Sequence, residues 1–189
     1  MLKKQLQNYI EQNNPVALTE LELTFAKANN LLVEGVEVGP ATIQPTVFER
    51  CNKETEDSIA VVDQQFLAQP ISHLKEHQEE FVYIEAERFG IVRIDAISLE
   101  LDEMFKNYTA MFGFAIQKKY GDAIKAYLNE QLKDVSFPYS ASFSGQDGLW
   151  EINMNIAGLP GFNEEQSFEK VIDAIYEFIF KLLEALEQQ

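Results

Sequence analysis

The C-terminal stretch "SFEKVIDAIYEFIFKLLEALEQQ" constrains the fold more than any other. Phe168, Val171, Ile172, Ile175, Ile179, Leu182 and Leu186 recur at helical spacing. Projected at ~100° per residue they span an apolar arc of about 160°, wider than a helix lying on a surface requires. Tyr176, Phe180 and Leu183 extend the arc at i, i+4 and i+7. A stripe this wide has to be covered from two sides. Either the helix is sunk between a sheet and a neighbouring helix, or the flank of Tyr176, Phe180 and Leu183 is an interface with a partner. Just upstream, Asn163 has N-cap character, Gln166 stands at capping-box spacing, and Glu164 and Glu165 suit the positive helix end.

The second clear signal is "YSASFSGQDGLWEINMNI". Tyr139, Ala141 and Phe143 alternate with serines, and Trp150, Ile152, Met154 and Ile156 alternate with Glu151, Asn153 and Asn155. Two half-buried strands follow, near 138–144 and 149–156, joined through Asp147-Gly148, where glycine accepts positive φ without a Cβ clash. A phosphate-binding loop would need a helix after its glycines to aim N–H groups at the anion, and a strand follows here. Trp150 falls on the apolar face and is expected in the core.

Elsewhere Leu2, Leu6, Tyr9 and Ile10 predict a first helix stopped by Asn13-Asn14-Pro15. A second helix is predicted over about 18–32, with Leu18, Leu21, Phe25 and Ala28 inward. "VEGVEVGPATIQPTVFERCN" has no sustained period and predicts an irregular loop over about 34–50. Ile59, Val62 and Phe66 suggest a helix from Glu54 to about Gln69, and Pro70 the first turn of another. "AISLELD" alternates as a strand near 96–102, 104–117 fits strand or helix, and Lys118–Lys133 predicts a helix with Ile124, Tyr127, Leu128 and Leu132 inward. Together these predict an α+β fold: one helix-dominated domain spanning 1–189, with a small, mainly antiparallel sheet packed by the long C-terminal helix.

Charge narrows the partners. The formal net charge is −16, a field that repels phosphate backbones and anionic lipid, so neither nucleic acid nor membrane is an expected partner. The acidic excess is concentrated in 51–103. Cys51 is the sole cysteine, which rules out an intramolecular disulfide and fits a reducing cytosol. The N-terminus lacks a signal-peptide apolar region and no apolar run approaches the ~20 residues of a membrane helix, so a cytoplasmic protein is expected.

Chemistry-bearing constellations are few. His73 and His77, the two histidines, stand at i, i+4 in "PISHLKEHQEE", which on a helix aligns both imidazoles as half a metal site. Glu76 or Glu80 would supply an oxygen ligand. The order is His-Leu-Lys-Glu-His, not that of a zinc protease, so solvated surface histidines are the alternative. Asp95 has apolar neighbours on both sides, Ile94 and Ala96, the setting that raises a pKa for acid–base work. Cys51 has no local nucleophile signature. No catalytic residue and no cofactor are assigned.

The segments "FSGQDGLWEIN", "QKKYGDAIKAYLNEQL" and "IYEFIFKLLEALEQ" resemble a family of small acidic cytosolic proteins of Gram-positive bacteria, uncharacterised, some of which carry a branched-chain aminotransferase label. That label implies pyridoxal phosphate on a lysine, with a phosphate cup and an acidic partner for the pyridine nitrogen. Lys118 and Lys125 instead fall on an amphipathic helix, and the glycine-rich turn is the hairpin. The expected function is therefore a non-catalytic cytosolic protein that binds another protein or itself, as a homodimer in the latter case. A small-molecule or metal binder is the alternative, and an enzyme such as the labelled transferase a third reading.

Overall fold

In the computed structural model, residues 1–13, 15–32 and 34–188 are described. Asn14, part of the expected helix stop, and Val33, just ahead of the expected loop, lie outside them. The N-terminal layer comprises α1 (Leu2–Gln12), β1 (Val16–Leu18), α2 (Glu20–Ala28) and β2 (Val38–Pro40). Next come β3 (Val47–Asn52), β4 (Ser58–Val61), the short helices α3 (Gln64–Leu67) and α4 (His73–Glu76), β5 (Glu80–Glu85), β6 (Ala96–Leu101) and β7 (Tyr108–Phe114). The chain ends with α5 (Gly121–Gln131), β8 (Tyr139–Ser144), β9 (Leu149–Asn155) and α6 (Phe168–Glu187).

The expectation of a helix-dominated fold with a small sheet is corrected here. Seven strands form one sheet in the order β4-β3-β5-β6-β7-β9-β8, every adjacent pair antiparallel, and β1 and β2 make a separate parallel pair. The physical reason lies in residues 47–61 and 80–85. Asn52 Oδ1 accepts from the N–H groups of Glu54 and Thr55 at 2.9 and 3.0 Å, which turns the chain back instead of starting a helix. Ile59 and Val62, near helical spacing, belong to an exposed edge strand and its exit. "EFVYIE" has apolar side chains on both faces, which hides its period of two, yet it pairs on both sides as β5.

The sheet has two unlike faces. Across one, Val82, Leu99, Ala110 and Met154 pair in a continuous row and are wholly buried, and Phe112 and Ile152 form the next row. α6 covers this face. Phe168 packs on Phe48 at 6.3 Å between ring centroids, and α1, α5 and the 3-10 segment Glu87–Val92 also pack against α6. The apolar arc of α6 is thus buried within the chain. Its N-cap is Ser167, whose hydroxyl accepts from Lys170 N–H, and not Asn163. Asn163 N–H does donate to Gln166 Oε1, but Asn163 Oδ1 accepts from Glu165 N–H, and these bonds close a turn ahead of the helix. Trp150 is buried, as expected, and lies so close to Gly121 that a Cβ there would meet its ring at 2.5 Å.

Candidate functional site

The flank proposed as an interface is buried inside the chain. Leu183 is enclosed, Phe180 meets Phe25 edge-on at 5.5 Å, and the Tyr176 hydroxyl donates to Glu22. As a partner contact, Tyr176, Phe180 and Leu183 are therefore corrected: the structure spends them on its own core. Glu22 is the unexpected partner. It is fully buried on the inner face of α2, which begins at Glu20, whereas Ala28 of the expected inner stripe is exposed. Its carboxylate accepts from Tyr176 Oη, from Arg88 Nη1 and, at 2.8 Å, from the Thr19 N–H. Arg88 in turn donates to Ala17 O at 3.0 Å and Tyr9 Oη at 3.3 Å. Burial and the Glu22 charge push the Tyr176 pKa well above its ordinary value. These partners are internal, so the network holds α1, α2 and α6 together. Thr19-x-x-Glu22 is a capping box visible in "LTELE", the signal that would have found it.

His73 and His77 are brought together. The rings stack at 4.2 Å between centroids, His73 on α4 and His77 as its C-cap. Because the chain leaves helical geometry at His77, β5 starts beside it and Glu80, not the exposed Glu76, joins the pair. His73 Nε2 lies 3.6 Å and His77 Nδ1 3.9 Å from the buried Glu80 carboxylate. Arg50 donates through Nε and Nη2 to both Glu80 oxygens, at 2.7 and 2.6 Å. These hydrogen bonds hold the Glu80 carboxyl below the usual carboxylate range. Burial, then the His77 and Arg50 charges, push the His73 pKa down. Its Nε2 is buried with no hydrogen-bond partner.

The remaining sequence candidates separate. Asp95 is exposed at the rim of the sheet, not in an apolar pocket. Cys51 is buried and its thiol pKa is pushed up by burial and by Glu49, the opposite of activation. Lys118 and Lys125 are exposed, each ammonium 5.8 Å from an aromatic centroid, of Phe143 and Trp150 respectively.

Sequence reading missed the second face of the sheet. Glu49, Tyr83, Ser98, Met111, Asn153 and Ser140 run across it in one paired row, flanked by Phe81, Glu100 and Thr109 on one side and Glu85, Ala96 and Glu151 on the other. These side chains remain exposed or half-exposed. Two adjoining depressions, about 460 and 320 Å³, share Met111, Ser140 and Asn153. Met104, Phe105 and Phe137 stand at the far end, 82, 46 and 65% exposed. Phe105 and Phe137 are in ring contact at 4.3 Å. The Asp102 carboxylate, accepting from the Met104 and Phe105 N–H groups at 2.8 Å, projects this turn outward. Phe137 sits at φ 50°, a left-handed backbone that a bulky residue adopts only under strain. Glu100 has its pKa raised, chiefly by burial.

No model of a known protein family matches the chain, and no curated protein or solved structure matches it either. Among the described residues no helix is long and apolar enough to cross a membrane.

Proposed function

We propose that this protein is a non-catalytic cytosolic interaction domain that receives a basic, apolar-containing segment of a partner protein on the uncovered face of its sheet. The observation that carries this reading is the pairing of that face's carboxylates with exposed aromatics. Glu49, Glu85, Glu100 and Glu151 lie in its rows, and Phe105 and Phe137 wall its end. A half-polar surface with a few large apolar anchors at one end is how a protein-binding patch differs from ordinary surface. The net charge of −16 supplies the complementary field that draws a basic segment in. Burying one phenylalanine at such an end is worth roughly 1.5–3 kcal/mol, enough for Phe105 and Phe137 to act as hot spots.

Selection from a displayed random-peptide library tests the reading. Enriched peptides should be rich in Lys and Arg with one or more apolar residues. They should lose at least tenfold affinity to a Phe105→Ser/Phe137→Ser variant and weaken as salt rises. Enrichment with no charge preference, or peptides that bind the variant equally well, would refute it. Light scattering over a wide concentration range separates the self-associating version, for which the same double substitution should dissolve the dimer.

A further inference from the structure

Among the described residues, one group of three His, Cys, Asp or Glu side chains brings its donor atoms within 4.8 Å of one another: His73, His77 and Glu80. We infer that these three bind a divalent transition-metal ion of the zinc class, with Arg50 orienting the carboxylate ligand. The donor set is two imidazoles and one carboxylate oxygen, the combination that suits zinc, nickel and cobalt and that leaves a fourth position for water.

The geometry is close to ligation. Donors around a tetrahedral ion at about 2.0–2.1 Å sit roughly 3.3 Å apart. His73 Nε2 stands 3.6 Å from Glu80 Oε2 and His77 Nδ1 3.9 Å from Glu80 Oε1, and with all three donors inside 4.8 Å of one another a small rotation of the His77 ring and the carboxylate completes the set. These separations are too long for hydrogen bonds, so the imidazole–carboxylate contacts leave capacity unused. His73 Nε2 in particular is buried with no partner, an arrangement that an ion at this point would satisfy. A neutral imidazole is the ligating form.

Arg50 is compatible with this role. Each Glu80 oxygen has two lone pairs, and the guanidinium occupies one on each, leaving the others for an ion. Ligating carboxylates are themselves hydrogen-bonded in metal sites, and such partners fix their orientation. Behind the cluster Phe66 meets the His73 ring edge-on at 4.9 Å, an apolar wall that limits solvent on one side. His77 is the exposed member and can swing its ring to close the remaining distance.

Titration calorimetry of metal-free protein with zinc, nickel and cobalt chlorides tests the inference. One equivalent should bind, and the cobalt form should show the intense visible bands of a tetrahedral centre. Because His77 is partly exposed, His77→Ala should fold normally by circular dichroism and lower the affinity at least tenfold. Glu76→Ala, at an exposed carboxylate outside the donor set, should leave it unchanged. Absence of saturable binding for all three metals, or an equal affinity in His77→Ala, would overturn the site.

Discussion

The buried Glu22–Arg88–Tyr176 network allows one sharp test of what holds the N-terminal layer to α6. Arg88→Met keeps most of the side-chain volume but removes the cation that faces the Glu22 carboxylate, leaving a buried charge with two donors, Tyr176 Oη and Thr19 N–H. Removing one member of a buried ion pair costs about 3–5 kcal/mol, which at a urea slope of about 2 kcal/mol/M lowers the unfolding midpoint by roughly 2 M. Tyr176→Phe keeps the ring between α6 and its neighbours and loses only a hydrogen bond to a charged group, so it should cost about 1.5–3 kcal/mol. The double variant Glu22→Leu/Arg88→Met removes both charges together. It should be less destabilised than the sum of its single variants by at least about 2 kcal/mol, since neither charge is then left alone. Urea unfolding followed by circular dichroism and by Trp150 emission gives all the required numbers. An Arg88→Met loss below about 1 kcal/mol, or strictly additive single variants, would show that the pair is not the clamp its geometry implies.

Three further outcomes are expected. Gly121→Ala forces a Cβ against the Trp150 ring and should cost about 1–3 kcal/mol, read as a lower melting temperature with shifted tryptophan emission; unchanged values would mean that the ring moves freely. Burial raises the Asp173 pKa, opposed by the hydrogen bond from Ile43 N–H. The folded state therefore binds this proton more tightly than the unfolded chain, the contribution is fully present below the unfolded value of about 3.9, and it is lost as pH rises through the folded value. Asp173→Asn should accordingly melt higher than the parent at pH 7, and the gap should close below about pH 4; a pH-independent gap would contradict this. Phe105→Ser/Phe137→Ser, confined to exposed side chains, should change stability by no more than about 0.5 kcal/mol, so that lost peptide binding cannot be blamed on unfolding.

The legible parts of the fold are those whose pattern is both local and one-sided. β8 and β9, with a turn between them, alternate cleanly because one face is solvated, and α6 shows its period because its covered arc is continuous. β5 escaped notice because Phe81 and Tyr83 occupy the open face while Val82 and Ile84 fill the core, which erases alternation. β4 reads as helix in sequence because Ile59 and Val61 are exposed on an edge, where apolar residues carry no information about burial. The histidine pair was legible from its spacing. Its completion by Glu80 depended on α4 stopping at Glu76 and on Arg50 arriving from β3, neither of which spacing encodes. The open face needed registers across β3, β5, β6, β7, β9 and β8, a property of the assembled sheet alone.

One consequence of α6 reaches back to how the molecule is made. The helix that roofs the sheet is made after every strand it covers, and Tyr176 meets Glu22 across 154 positions of chain. Until then Val82, Leu99 and Met154 present a bare greasy surface, with long-distance closure still to come. A nascent chain halted before residue 168 should therefore be sticky and protease-sensitive, and a synthetic 168–187 peptide supplied in trans should rescue it.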